Sequence, residues 1–158
     1  MLVHEKSPDE FEPVLVVCGV LVESHGKVLL LKRHPQKSHG LHWNLPAGKL
    51  ENAETPLQAA RRELFEESGI DVNEKEIWPV GTLYFTPQER HFVFHLFYCP
   101  IATKPQLILS ESEAVEGRWW AWEEPIAPII PGGDEVLRFC KKKIDRDYKN
   151  SKLNPYNP

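Results

Sequence analysis

Apolar residues are distributed along the chain in short runs, and these runs predict the strands of a sheet. The first two runs are β-branched or leucine-rich and are separated by a polar turn that ends at Gly26, a pattern typical of adjacent strands. The run that ends at Tyr98 is apolar at nearly every position, which is typical of a strand covered on both faces. The predicted strands are Val14–Val22, Lys27–Arg33, Ile77–Phe85, Arg90–Tyr98 and Gly117–Trp122. No run approaches the roughly 20 apolar residues that span a bilayer, so no membrane partner is expected.

Two helices are predicted from their end signals and from the spacing of apolar residues. Thr55 fits the N-cap of the first helix, Pro56 its first helical position, and Gln58 completes a capping box. Gly69 supplies a left-handed stop. The second helix is predicted from Asp134 to about Tyr148. The apolar stripe of the first helix consists of Leu57, Ala60 and Leu64.

Strands that alternate with helices predict an α/β layered domain. The length of 158 residues suits a single domain with its own core. We therefore expect a polar N-terminal segment at residues 1–13 that is frayed or forms a sheet edge, one domain at residues 14–150, and a C-terminal tail at residues 151–158.

Charge and cysteine usage narrow the classes of function. The net charge of −4 argues against a general nucleic-acid-binding protein, which needs a basic surface, so no nucleic acid polymer is expected as a partner. Cys18, Cys99 and Cys140 are odd in number and widely separated, which is typical of the reduced thiols of a cytosolic protein. The N-terminus has no basic segment followed by an apolar one, so no secretory signal is indicated. A cytoplasmic location is expected.

The segment RRELFEESG, at residues 61–69, crowds three carboxylates onto one helix. Glu63, Glu66 and Glu67 stand at i, i+3 and i+4, where side chains are about 5–6 Å apart and like charges repel. Bound cations would remove this repulsion, and carboxylate oxygens suit Mg²⁺ or Mn²⁺. Divalent ions about 4 Å apart activate water and stabilise a leaving phosphoryl oxygen. The alternative is a solvated acidic helix face.

The three carboxylates belong to a longer pattern. The segment GKLENAETPLQAARRELFEESGI, from Gly48 to Ile70, has the spacing G-x5-E-x7-R-E-L-x-E-E-x-G-I. This pattern resembles the signature of the Nudix hydrolases at every fixed position. The resemblance implies an α/β/α sandwich with a mixed β-sheet between helices, and hydrolysis of a phosphoanhydride bond.

The resemblance also implies roles for individual residues. Glu66 and Glu67 are expected to be the principal metal ligands, and Glu63 a ligand or the base that activates water. Gly48 is expected to offer its backbone carbonyl to the metal. Arg62 is expected to orient Glu63 through a charge-assisted hydrogen bond.

Acids outside the helix complete the expected catalytic centre. Glu54 is expected to brace the loop against the helix. Many family members place a glutamate ahead of a strand tryptophan as a further ligand or base, and Glu113 best fits this offset from Trp119. Glu111 and Glu116 are the alternative candidates for this additional acid. The alternative for this acidic segment is a charged surface loop.

Three further side chains are candidates for substrate binding. Trp43 and Trp120 are expected either to stack on a nucleobase or to pack in the core. Lys49 adjoins the predicted metal loop and is expected to contact phosphates, the alternative being a solvated surface lysine.

The expected function is that of a pyrophosphohydrolase dependent on Mg²⁺ or Mn²⁺, with two or more ions once the substrate is bound. The compact length favours a small MutT-type enzyme that cleaves a (d)NTP or an oxidised (d)NTP to NMP and pyrophosphate. The alternatives are an ADP-ribose or nucleotide-sugar pyrophosphatase and a non-catalytic nucleotide-sensing domain. An isopentenyl diphosphate isomerase is a third alternative, against which the intact motif argues. The expected partner is a small-molecule nucleotide, and a homodimer is left open.

Overall fold

The computed structural model describes residues 2–148, in which eight strands form one mixed sheet. The strands are β1 (Val3–His4), β2 (Leu15–Ser24), β3 (Lys27–Arg33), β4 (Trp43–Asn44), β5 (Ala47–Lys49), β6 (Trp78–Phe85), β7 (Phe92–Pro100) and β8 (Ala114–Ala121). Their order is β1-β6-β7-β2-β3-β4, with β5 paired to β2 and β8 paired to β3. The predicted C-terminal tail at residues 151–158 lies outside the described residues.

Two helices, α1 (Pro56–Ser68) and α2 (Gly133–Asp147), cover the two faces of this sheet. Strand β2 runs parallel to β7 in the middle of the sheet, and its side chains alternate between the faces. Cys18 and Val20 pack in the same cluster as Leu64 of α1, whereas Leu21 packs with Phe139 of α2. The predicted α/β/α sandwich with a mixed sheet is therefore confirmed.

Local signals determine where α1 begins and ends. Thr55 accepts a hydrogen bond from the backbone N–H of Gln58, and the Gln58 side chain accepts one from the Thr55 N–H. Gly69 adopts φ 76°, and its N–H donates to the carbonyl of Phe65 at 2.8 Å. The left-handed turn then directs the chain so that Ile70 is buried beneath the helix end. No helix within residues 2–148 has the length and apolar character needed to cross a membrane.

The structure differs from the predicted elements in two places. The predicted loop between β3 and α1 contains β4 and β5, which are too short for a hydrophobic period to be visible. Strand β8 begins at Ala114, three residues before the predicted start at Gly117, because it pairs with β3 as far as Arg33 through an irregular register. Of the two alternatives expected for the N-terminal segment, the structure shows the sheet edge, where Val3 of β1 pairs with Phe85.

Candidate active site

Helix α1 directs two of its three signature carboxylates into a cleft beside the sheet. Glu63 and Glu67 lie one helical turn apart, and both line this cleft. Glu66 is exposed and lies outside the cleft lining, where it accepts a hydrogen bond from Arg62 Nη1 at 3.2 Å. The structure thus brings Glu63 and Glu67 together in the cleft and leaves Glu66 outside its lining.

The guanidinium of Arg62 connects the helix to the loop that precedes it. It donates two hydrogen bonds to Glu54, from Nε to Oε2 at 2.7 Å and from Nη2 to Oε1 at 3.0 Å. It also donates to Glu63 Oε1 at 2.8 Å and to the Lys49 carbonyl at 3.0 Å. Glu54 in turn accepts a hydrogen bond from the Glu51 N–H at 2.9 Å. Arg62 therefore holds Glu63 and the loop at once, as expected of an orienting residue.

This hydrogen bonding fixes the charge state of the pair. The hydrogen bonds that Arg62 donates to Glu54 lower the pKa of Glu54, and the same hydrogen bonds raise the pKa of Arg62. Both groups consequently stay ionised at neutral pH, and the loop stays joined to α1.

Gly48 allows the main chain to approach the carboxylate of Glu63. It lies on β5, paired with Cys18 of β2. A Cβ atom at position 48 would clash with the carboxyl group of Glu63. Glycine lets this carboxylate occupy the space that a side chain would fill, and with alanine here the end of the Glu63 side chain would have to move away.

Glu67 is half-buried, and its negative charge is unfavourable in this environment. Burial raises the pKa of its carboxyl well above the ordinary value, and the neighbouring Glu63, through its charge and a hydrogen bond, raises the pKa further. The charge of Glu113 acts in the same direction, whereas Lys37 opposes it. Three acids therefore converge in the cleft, and Lys37 is the lysine whose charge acts on Glu67.

Among the three acids predicted ahead of β8, Glu113 is the one that lines the cleft. Its carboxylate forms an ion pair with Lys37. Glu111 and Glu116 are exposed, and Glu116 is paired with Lys32 in the ladder between β3 and β8. The structure thus favours Glu113 over its rivals as the additional acid of this site.

The cleft combines a charged region with an apolar region in a cavity of about 590 Å³. Phe85 and Phe92 stack with their ring centroids 4.5 Å apart and their planes at 15°. The charged lining includes Arg33, Lys37, Lys49, Glu63, Glu67 and Glu113. The apolar lining includes Leu15, Phe85, Phe92, Phe94, Ile130 and Val136. Such a cavity is of the size and character typical of small-molecule sites.

The residues predicted to bind substrate lie in different surroundings. Lys49 is exposed and lines the cleft. Trp43 and Trp120 are only 5% and 6% exposed, and they contact each other edge to face with centroids 5.4 Å apart. This placement favours the core-packing alternative for both tryptophans, because their rings offer little surface to a base.

The chain was compared with protein-family models, and the model described as NUDIX domain matches residues 12–140. This match covers most of the chain, including α1, Gly48 and Glu113. The chain belongs to the Nudix family. Family membership confirms the prediction of a Nudix hydrolase that acts on phosphoanhydride bonds.

Curated relatives are similar to the chain in sequence, and a solved structure is similar to it in fold. The 8-oxo-dGTP diphosphatase of Proteus vulgaris is 41% identical over 83 residues, which are 52% of this chain and 71% of that protein. The RNA pyrophosphohydrolase of Aliivibrio fischeri is 41% identical over 155 residues, with 86% of each chain covered. The Nudix hydrolase RenU of M. smegmatis has a TM-score of 0.71 at 20% identity, covering 96% of this chain and 99% of that one. The chain is also similar to two longer curated relatives. It spans about a third of the length of one and about half of the length of the other.

Members of the Nudix family generally use divalent metal ions, and the donor set of this cleft fits such an ion. Within the described residues, no three carboxylate, imidazole or thiolate groups are already arranged as a cation site. Glu63 is turned towards Arg62, and Glu113 is paired with Lys37. The cleft nevertheless offers only hard oxygen donors from its acids. The pKa of Glu67 is raised by burial and by the neighbouring acids, and a bound cation would offset both effects.

Two features of the Nudix cleft were missed by the sequence analysis. Lys37 was assigned no role, because its partner Glu113 is 76 positions away in the sequence. The aromatic wall was assigned no role either, although Phe92 and Phe94 alternate along β7 and so share one face. That period-two pattern at the start of a strand was the available signal.

Proposed function

We propose that the chain is a Nudix pyrophosphohydrolase that uses Mg²⁺ or Mn²⁺, two or more ions with substrate bound, to cleave a (d)NTP or an oxidised (d)NTP to NMP and pyrophosphate. One observation carries the proposal: the acids Glu63, Glu67 and Glu113 line the same cavity as a wall of phenylalanines. A nucleotide has the same two-part character, with an anionic polyphosphate and an apolar base.

The division of the cleft suggests how the substrate lies. The polyphosphate belongs near the carboxylates, where Lys49 adds a positive charge at the rim. The base belongs against Phe85, Phe92 and Phe94, since aromatic and apolar surfaces hold bases well. This orientation places the phosphoanhydride bonds within reach of α1.

The side chains of the charged region have distinct tasks in the proposed reaction. When bound, divalent cations activate a water molecule and neutralise charge that develops on the phosphoryl oxygens. Glu67, Glu66, Glu113 and the Gly48 carbonyl are the proposed ligands. Glu63, held by Arg62 at 2.8 Å, is the proposed acceptor of the proton of the attacking water.

Glu66 contributes from outside the cleft lining in this scheme. Its present hydrogen bond to Arg62 is longer than that of Glu63, 3.2 Å against 2.8 Å, and its side chain is 55% exposed. An exposed carboxylate on a long side chain can reorient at little cost. We therefore include it in the ligand set, in line with the Nudix signature.

The relatives support two substrate classes. The similarity to an 8-oxo-dGTP diphosphatase favours oxidised dNTPs. The similarity to an RNA pyrophosphohydrolase, which extends over 86% of both chains, favours a second candidate: removal of pyrophosphate from the 5′ end of an RNA. Both reactions break the same kind of bond, so the groups that hold the nucleoside must decide between them.

The test is a panel of substrates ranked by kcat/KM with Mg²⁺ or Mn²⁺ at about pH 8–9, where metal-activated water is readily deprotonated. The panel contains dNTPs, 8-oxo-dGTP, ADP-ribose, nucleotide sugars and a 5′-triphosphorylated oligoribonucleotide. We expect a (d)NTP or an oxidised (d)NTP to rank first and release pyrophosphate. Preference for the oligoribonucleotide would establish the second candidate instead, and no turnover of any member would refute the enzymatic proposal.

A further inference from the structure

The loop between β3 and β4 holds a lysine at the acidic part of the cleft. Arg33 anchors this loop, with Nε donating to the Ser38 carbonyl at 2.8 Å and its own carbonyl accepting from the Leu41 N–H at 2.9 Å. Within the loop, the N–H of Lys37 donates to the His34 carbonyl at 3.0 Å. The backbone that carries Lys37 is therefore fixed at several points.

The same loop is bonded to the segment that carries the additional acid. The His34 N–H donates to the backbone carbonyl of Glu113 at 3.0 Å, and the ammonium of Lys37 pairs with the Glu113 carboxylate. The loop that carries Lys37 is thus joined to Glu113 by the backbone hydrogen bond from His34 and by the side-chain ion pair. Both also line the cleft with Glu67.

We propose that Lys37 is a substrate-binding residue that is held on Glu113 until a divalent cation binds, and that then moves onto a phosphate of the nucleotide. This inference rests on the proposed function, because it concerns the order in which that site is filled. In the structure the ammonium group of Lys37 supplies a positive charge to the Glu113 carboxylate. A bound cation would neutralise Glu113 in place of the Lys37 ammonium group. The ammonium group could then pair with a phosphate of the substrate.

The chemistry of lysine suits this exchange. An ammonium group is a compact charge on a flexible stem of four carbons, so it can change partners while the backbone stays fixed. The ion pair is partly exposed, with 32% of the Lys37 side chain and 40% of the Glu113 side chain accessible, and such pairs are weak enough to break. A phosphate carries more negative charge than one carboxylate and lies within the same cleft.

A permanent salt bridge is the competing explanation, and it makes a different prediction for metal affinity. The loss of any ammonium group from the cleft lowers the repulsion of a cation, so some strengthening of cation binding is expected in either case. If Lys37 also competes with the cation for the Glu113 carboxylate, its loss must strengthen cation binding more than the loss of a cleft lysine that has no acid partner. The difference between two such lysine variants therefore separates the two explanations.

The experiment compares Lys37→Met with Lys49→Met. Methionine keeps an unbranched apolar stem and removes the charge, and Lys49 lines the same cleft but forms no ion pair with an acid within the described residues. Mn²⁺ binding without nucleotide is measured by calorimetry at fixed ionic strength. Binding of α,β-methylene-dGTP is then measured at saturating Mn²⁺.

For Lys37→Met we expect Mn²⁺ to bind about twofold to fivefold more tightly, because a partly exposed ion pair contributes a free energy of that size. We expect the nucleotide analogue to bind more weakly. For Lys49→Met we expect a smaller change in Mn²⁺ affinity and weaker analogue binding. Mn²⁺ binding by Lys37→Met that is unchanged, weaker, or no tighter than that of Lys49→Met would overturn the proposal, and unchanged analogue binding would overturn the phosphate role. The Mn²⁺ measurement needs no turnover, so it stays informative if the proposed function fails.

Discussion

Arg62 and Glu54 are joined by two hydrogen bonds in a parallel arrangement, 2.7 Å from Nε to Oε2 and 3.0 Å from Nη2 to Oε1. The two residues are eight positions apart and belong to different elements, Glu54 to the loop and Arg62 to α1. Arg62 uses its remaining N–H groups on Glu63, on Glu66 and on the Lys49 carbonyl. The position of the loop and the orientation of Glu63 therefore depend on a single guanidinium.

Replacement of this guanidinium by an ammonium tests that dependence. Arg62→Lys keeps the charge but lacks the planar group that matches a carboxylate. We expect a loss of about 1–3 kcal/mol in the free energy of unfolding, measured with urea, together with a fall in kcat. Arg61→Lys is the matched control, because Arg61 bonds to the Val72 carbonyl and Asp71 and does not line the cleft. Equal losses of kcat in the two variants would contradict an orienting role for Arg62.

The same pair predicts how stability depends on pH. Its hydrogen bonds lower the pKa of Glu54 below the ordinary 4.5, so the folded chain holds this carboxylate ionised more strongly than the unfolded chain does. The resulting stability is present above about pH 4.5 and is lost as the pH falls through the lower pKa of the folded state.

This direction of the pH dependence can be checked with the wild type and Glu54→Gln. The free energy of unfolding of both proteins is measured in EDTA from neutral to acidic pH. The stability difference between the two proteins should be largest near neutral pH and should shrink below about pH 4.5. A difference that stays constant across this range would show that the Glu54 charge does not stabilise the fold.

Local signals explain which parts of the fold and site were predictable. Thr55, Gln58 and Gly69 act on their own helix, so the bounds of α1 can be predicted from adjacent residues. The burial of Trp120 depends on how β8 packs against Trp43, which the sequence pattern does not specify. The pairing of Lys37 with Glu113 depends on which loops the sheet order brings together. Long-range juxtaposition was therefore the part that the sequence left open.

Glu67→Gln tests the proposed metal role of the half-buried acid. We expect kcat to fall by at least about 10²-fold, because the amide cannot supply the charged ligand on which cation binding depends. The melting temperature in EDTA should stay the same or rise, because burial and the nearby Glu63 make the charge of Glu67 unfavourable. Retained activity with a collapsed melting temperature would mean that Glu67 is structural.

Gly48→Ala tests whether the close approach to Glu63 is functional. The backbone at Gly48 does not have a left-handed φ, so the conformation itself suits alanine and the conflict is with the carboxylate. We expect kcat/KM to fall by about 10²-fold, as small misplacements of catalytic groups can do, together with a loss of stability. In the double variant Gly48→Ala/Glu63→Ala the stability should recover while the activity stays low. Additive stability losses would place the conflict elsewhere.

Trp120→Phe separates core packing from base stacking, the two explanations that the sequence left open for this residue. The indole is 6% exposed, and its Nε1 atom is buried without a hydrogen-bond partner among the described residues. The substitution therefore removes an unpaired donor along with some apolar volume. We expect the free energy of unfolding to fall by less than the about 3–5 kcal/mol that is typical of truncation to alanine. KM for the best nucleotide should not change, whereas Phe92→Leu in the cleft wall should raise it. A raised KM for Trp120→Phe at unchanged stability would show that the tryptophan contacts the substrate.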